Sequence, residues 1–204
     1  LNSGLNVVLG TVSASATLLV GGATAATDVI IGGLGNGSFS GSRVIGGNAT
    51  ASTLTIGSTS GSHTFSGALG GVGANENNFN LVKAGAGTQI LDGALTYTGT
   101  TLVRAGTLQL GTSSSFVPAA TISVLADAGA TAVFDINGRS FTTVGDLTLG
   151  GNGAGSIAQM VDTAVTKGTV TLAGNVLYNG SLNGAGAVLG VNLSRVGGLT
   201  ITSQ

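Results

Sequence analysis

Apolar and polar positions alternate along this chain in short runs, and most runs close on a glycine. Leu5 to Leu9 closes on Gly10, Thr17 to Val20 on Gly21 and Asp28 to Ile31 on Gly32, so these closing glycines recur every eleven residues. The pattern then slips and returns, with Arg43 to Ile45 before Gly46, Thr53 to Ile56 before Gly57, and His63 to Phe65 before Gly67. Alternation over runs this short predicts strands, and their recurrence predicts a repeating β architecture. One such unit buries too little surface to stand alone. Stacked at the usual strand spacing of about 4.8 Å, like positions fall over like positions and a narrow continuous core forms, with Thr, Ser and Asn laddered outside. Corners of such a coil need positive φ or close backbone approach, which glycine meets without steric cost.

The densest stretch of this kind is Leu81 to Leu110, LVKAGAGTQILDGALTYTGTTLVRAGTLQL, cut by Gly85, Gly87, Gly93, Gly99 and Gly106. Its Leu, Ile and Val residues read as core, and Lys83 and Arg104 as outward. The polar interval before it, Gly70 to Asn80, reads as a protruding loop, and Ser113 to Ala119, holding the single proline Pro118, as a second. Strand rhythm resumes at Thr121 to Leu125, Ala132 to Ile136, Phe141 to Val144 and Leu147 to Leu149. In Ser156 to Val165 the residues Ile157, Met160, Val161 and Ala164 have a spacing compatible with one or two helical turns, a strand being the alternative. Thr169 to Leu172, Val176 to Tyr178, Ala187 to Leu193 and Leu199 to Thr202 return to strands. Nothing reads as a linker, so one elongated domain over residues 1–204 is expected. The chain opens at Leu1 with no leader pattern, so a signal peptide is either absent or already removed, which suggests a mature product or a fragment.

Composition narrows the function. Asp, Glu, Lys and Arg make up 6% of the 204 residues, against about 25% in ordinary globular domains. Glycine fills 38 positions, yet 42% of residues are hydrophobic and mean hydropathy is +0.51, so the chain can bury a core. A net charge of −1 carried by so few groups argues against a basic groove for nucleic acid and a polybasic membrane face. The apolar region Ala14 to Ala26 is interrupted by Thr17, Gly21, Gly22 and Thr24, short of the roughly 18 uninterrupted residues of a spanning helix, so no transmembrane segment is expected. The absence of cysteine fits an exported bacterial surface protein.

In Leu81 to Leu110 the residues Leu81, Lys83, Gly85, Gly87, Thr88, Leu91, Gly93, Tyr97, Gly99, Thr101, Val103, Gly106, Thr107 and Leu108 stand in the order and spacing of a known motif. The stretch resembles the autotransporter-associated β-strand repeat of bacterial passenger domains and other large exported proteins. Thr64 to Gly71 and Val133 to Gly151 look like the material that flanks such repeats. Two positions depart from the pattern: Gln89 stands where an inward Leu is usual, and Leu95 where Asn usually caps a turn. A buried Gln89 would mean that the register holds with a polar substitution, and a buried Ile90 that it has slipped. The resemblance implies a right-handed parallel β-helix, or β-solenoid, that is exported and surface-associated, with the repeat assisting folding and transport rather than catalysis. No membrane β-barrel pattern follows it.

Parallel β-helices can cleave polysaccharides, which calls for two carboxyls about 5 to 9.5 Å apart. The seven acids, Asp28, Glu76, Asp92, Asp127, Asp135, Asp146 and Asp162, are scattered. Asp127 and Asp135 could lie one coil apart on one side, or Asp135 and Arg139 could pair across a turn; turn acids that cap N–H groups are the favoured reading. His63 has no cysteine or nearby acid and reads as an outward strand residue. The regularly recurring Asp of glycine-rich calcium repeats is missing. Gly184 to Gly190 lacks the following helix of a dinucleotide loop, so its glycines read as corners. Phe65, Phe134 and Phe141 alternate with polar residues as core does, while Tyr97 and Tyr178 could stack on sugars. The Asn-X-Ser/Thr triplets at Asn36, Asn48, Asn179 and Asn192 read as turn asparagines. No catalytic, cofactor-binding or metal-binding residue is expected, and no cofactor. The reading is a non-enzymatic extracellular structural protein, a scaffold of a bacterial fibre, stalk or sheath that partners itself head to tail. An adhesin or carbohydrate-binding passenger touching surface glycans is the alternative, and a polysaccharide-cleaving enzyme comes third.

Overall fold

The computed structural model describes residues 4–37, 41–118, 120–179 and 201–203; for 178, 179 and 201–203 only the backbone is described. It is an all-β solenoid of about 6 turns, with twenty-two strands and no helix among the described residues. Every paired strand runs parallel to its neighbour. Parallel pairing without helices requires that the chain circle back to each ladder, and three faces result.

The first face carries Thr17–Val20, Arg43–Gly46, Ala68–Leu69, Ala94–Leu95 and Ser115–Phe116 in one ladder, then Phe141–Thr143, Val170–Leu172 and Ile201–Ser203 in another. A second face runs unbroken through seven strands: Val29–Ile31, Ser52–Ile56, Phe79–Lys83, Thr101–Val103, Ile122–Ala126, Leu147–Gly151 and Val176–Asn179. On the third face, Val7–Leu9 pairs only with Leu34–Asn36, and a separate ladder joins Ser62–Phe65, Thr88–Leu91, Gly106–Leu110, Thr131–Asp135 and Ile157–Val161. The segment Ser156 to Val165 is therefore a strand at its centre. Its apolar spacing misleads because Met160 alone is buried there while Ile157 is exposed.

Register explains the core. On the second face Val29, Leu54, Leu81, Thr101, Ile122 and Leu147 stand over one another, and beside them Ile31, Ile56, Lys83, Val103, Val124 and Leu149. Period-two pleating sends both columns inward. Along the axis runs a chain of aromatic rings: Phe79 stacks on Tyr97 at 5.4 Å, Tyr97 meets Phe116 at 6.3 Å, and Phe116 meets Phe141 edge-on at 5.0 Å and Phe134 at 6.0 Å. Phe65, Phe134 and Phe141 are buried core residues, as their alternation predicts.

Turns differ in length. From Leu54 the pairing passes to Leu81, Thr101, Ile122, Leu147 and Val176, steps of 27, 20, 21, 25 and 29 residues. The shortest turn lies in the stretch from Leu81 to Leu110. There the second and third faces are joined by Arg104 and Ala105 alone, and Gly106 adopts φ +64° with the carbonyls of Gly85 and Gly87 where a side chain would stand. A Cβ at Gly106 would run into that backbone, so glycine is required there on both counts.

Candidate functional site

The tight corner at Arg104 and Ala105 is flanked by the longer corners 84–87 and 127–130, and the mismatch leaves a notch in the solenoid edge. It has a volume of about 430 Å³ and is lined by small side chains, among them Ala86, Ala105, Thr107, Ala130, Thr131 and Val133. At this corner Arg104 reaches back to Asp127, with NH2 2.9 Å and Nε 3.0 Å from Oδ1. Both side chains are over a third exposed, so the pair contributes little to stability. The only polar side chains that line the notch are the hydroxyls of Thr107 and Thr131, and no titratable side chain stands beside them there.

Next to the notch lies a residue whose placement reverses its sequence reading. Lys83 is not outward; it is fully buried in the aliphatic column between Ile56 and Val103. Its Nζ donates to the carbonyls of Ala84 (2.8 Å), Gly85 (2.6 Å) and Ala105 (3.1 Å), so the three protons of the ammonium meet three oxygens on two successive turns. Burial lowers its pKa from 10.5 to about 8. The alternation Leu81 in, Val82 out, Lys83 in carried this signal, and the expectation that charge faces water overrode it.

Gln89 is buried, and Ile90 is only partly so, so the register of the motif holds. No ladder joins Leu34–Asn36 to Ser62–Phe65. Across that gap Gln89 Oε1 accepts from Leu34 N (2.9 Å) and Nε2 donates to Leu34 O (2.8 Å) and Ile90 O (3.1 Å). The side-chain amide stands in for the missing strand partner. His63 is a second correction: it pairs in register with Gln89, shares the side of buried Phe65, and lies half-buried against Gly33.

The acids are spoken for locally. Asp28, Asp92 and Asp146 each accept, at 2.7 Å, a backbone N–H of a following turn, from Thr53, Ser113 and Asn175. Asp162 accepts from Gly138 N and Gly168 N, and Glu76 from Gly73 N while lying 3.8 Å from Arg43. Asp135 ends the strand Thr131–Asp135, which spans roughly 13 Å at about 3.3 Å per residue, and Asp127 lies in the corner before its other end, so they do not form a pair. Asp135 is buried among Gln109 Nε2, Thr163 Oγ1 and the N–H groups of Asn137 and Thr163; Arg139 is not its partner. Among the described residues no three His, Cys, Asp or Glu side chains are placed to hold a metal ion.

Tyr97 is no sugar platform, because it is buried with its hydroxyl 2.7 Å from Thr101 Oγ1, and burial pushes its pKa well above the ordinary value. The loop Gly70 to Asn80 folds back on itself through Asn77 Oδ1 on Gly71 N and on the neighbouring turn through Asn78 Nδ2, and its end is already strand. Within Ser113 to Ala119, Ser115–Phe116 is a strand and Phe116 is buried; Ala119 lies outside the described residues. Asn36 and Asn48 bond backbone at corners, as turn asparagines do. Gly184 to Gly190, Ala187 to Leu193, Asn192 and the side chains of Tyr178 and Asn179 lie outside the described residues.

Residues 81–110 match the family model of the passenger-associated-transport-repeat. The repeat spans five strands, from the last three residues of Phe79–Lys83 to the end of Gly106–Leu110, so it supplies the shortest turn, the buried lysine and one wall of the notch. A passenger-associated repeat in a parallel solenoid fits a passenger-type exported or cell-surface protein. No curated protein and no solved structure matches the chain. No helix among the described residues is long and apolar enough to cross a membrane.

Proposed function

We propose that this protein is a non-enzymatic structural element of the bacterial cell exterior, a single elongated solenoid that serves as part of a fibre, stalk or sheath. The observation that carries the reading is the passenger-associated repeat set inside an unbroken seven-strand ladder, with its polar side chains spent on the fold itself. Lys83, Gln89 and the corner acids hold backbone groups of adjacent turns, a use of polar residues that builds a scaffold. A parallel solenoid also adds turns without changing its cross-section, so the terminal turns suit head-to-tail contact with further turns of the same kind. Outward positions on the second face carry no Asp, Glu, Lys or Arg among the described residues, so charge does not oppose such association there.

Surface labelling of the producing cells, followed by electron microscopy of the labelled material, tests the proposal. Label on filaments, stalks or a sheath is expected; label confined to the cell interior would overturn the exported role. A sharply monodisperse monomer at high concentration would overturn self-association while leaving export standing. The alternative of a carbohydrate-binding passenger has lost Tyr97 as a stacking surface, and a glycan array without hits would remove it.

A further inference from the structure

Three Asn-Gly steps lie among the described residues, and the solenoid treats them differently. An asparagine followed by glycine can lose its amide when the glycine nitrogen attacks the side-chain carbonyl carbon, because glycine offers no side chain to hinder the approach. The step needs a side chain free to turn and a glycine N–H that is not held elsewhere.

Asn36–Gly37 has neither. Asn36 Oδ1 accepts from Ser66 N at 2.7 Å, Nδ2 donates to Gly37 O at 2.8 Å, and Gly37 N donates to Leu9 O at 3.0 Å. Asn137–Gly138 is held as firmly. Asn137 Nδ2 donates to Leu110 O at 3.0 Å, and Gly138 N donates to the Asp162 carboxylate at 2.8 Å. At Asn152–Gly153 both residues are exposed, no hydrogen bond holds the Asn152 side chain, and none holds the Gly153 N–H. The backbone around the step is fixed all the same: Asn152 N donates to Ala126 O at 2.8 Å, and Ser156 N and Oγ both bond Gly153 O.

We propose that Asn152 is a site of spontaneous deamidation, the one place among the described Asn-Gly steps where the fold leaves the reaction open. The Gly153 nitrogen forms a bond to Asn152 Cγ and gives up its proton, ammonia leaves with the amide nitrogen, and a cyclic imide results. Water then opens the ring at either carbonyl, giving aspartate or isoaspartate at position 152. No oxidant, metal or enzyme is needed; water is the only co-reactant.

The position gives the product a structural meaning. Gly151 pairs with Ala126, so residue 152 stands over Asp127 at the corner, and Asp127 already engages Arg104 at 2.9 Å. A new carboxylate sets like charges over one another in neighbouring turns, which destabilises a ladder. The isoaspartate form also lengthens the main chain by one carbon at a corner whose neighbour, Ala128, lies within contact of Gly153. Among the described Asn-Gly steps, the corner between Leu147–Gly151 and Ile157–Val161 is thus where ageing begins, with an added negative charge.

Incubating the purified chain in warm, mildly alkaline buffer and following the peptides that hold Asn36, Asn137 and Asn152 by mass spectrometry, with isoaspartyl methyltransferase labelling, tests this. Asn152 is expected to react first, faster than Asn36 and Asn137 by about tenfold for each hydrogen bond that those sites must break. The variant Asn152→Gln, checked by its unchanged melting curve, should lose most of the early isoaspartyl signal from residues 120–179. Equal rates at the three steps, or an Asn152 that outlasts Asn137, would overturn the proposal, because the local hydrogen bonds would then not be what governs reactivity.

Discussion

Gln89 and Lys83 each occupy an inward position where an aliphatic side chain would ordinarily pack, and each holds backbone groups that the ladders leave over. Replacing Gln89 with the Leu usual in the motif would make the sequence more regular and the protein less stable. Leu34 would keep a buried N–H and C=O without a partner, each costing about 1–3 kcal/mol. Gln89→Leu is accordingly expected to lose about 2–4 kcal/mol in equilibrium denaturation, and an unchanged or raised midpoint would show that water takes the place of the amide. Lys83 gives a pH dependence whose sign follows from its burial. The fold lowers its pKa to about 8 while the unfolded chain keeps 10.5, so between these values the unfolded state binds more protons and stability rises with pH. Tyr97 acts in the other sense: its folded pKa is raised above 10.0, so stability falls once the unfolded tyrosine ionises. A shallow maximum near pH 10 is therefore expected in urea titrations, and in Lys83→Met the rise between about pH 8 and 10 should vanish. A rise that persists in the variant would place the titrating group elsewhere.

Strands of two to five residues cannot hold together by propensity, and what joins them here is packing between turns. Phe116 shows the scale of it, since its ring meets Tyr97 of the turn before and Phe134 and Phe141 of the turn after. Phe116→Ala is expected to cost about 3–5 kcal/mol and to weaken near-ultraviolet circular dichroism from Tyr97; a loss under about 1 kcal/mol would mean that the ring chain can collapse around the gap. The strands themselves were legible in the sequence, because alternation closed by glycine needs no tertiary information: Thr17–Val20, Val29–Ile31 and Phe141–Thr143 lie where the pattern places them. Inward polar residues were not. His63 and Lys83 obey the alternation, yet their chemistry argues for water, and what settles the contest is a set of carbonyls and a glycine that only the stacked neighbour turns supply. The Gln89 to Leu34 bond spans 55 residues and crosses a strand between them, so no local pattern could announce it.

For the whole molecule, the three faces are unequal in continuity, and this sets where it opens. Stability of a solenoid is close to a sum over turns and the contacts between neighbours, so a missing ladder is a weak joint. The second face has none among its seven strands, while the third is interrupted between Leu34–Asn36 and Ser62–Phe65, and the first between Ser115–Phe116 and Phe141–Thr143. At the third-face gap the turns are held by Gln89 and by Asn36 Oδ1 on Ser66 N rather than by a ladder. Native-state hydrogen exchange should therefore show uniformly slow amides along the interior of the second face, and earlier opening of Val7–Leu9 and Leu34–Asn36 as one unit. In Gln89→Leu the Leu34 amide should exchange at least about tenfold faster, matching the loss of one buried hydrogen bond, while Leu81 and Ile122 keep the rates set by global stability. If Leu34 exchanged no faster than Leu81 in both proteins, the first turns would be joined to the rest as tightly on the third face as on the second, and the interruption of the ladder would have no energetic meaning.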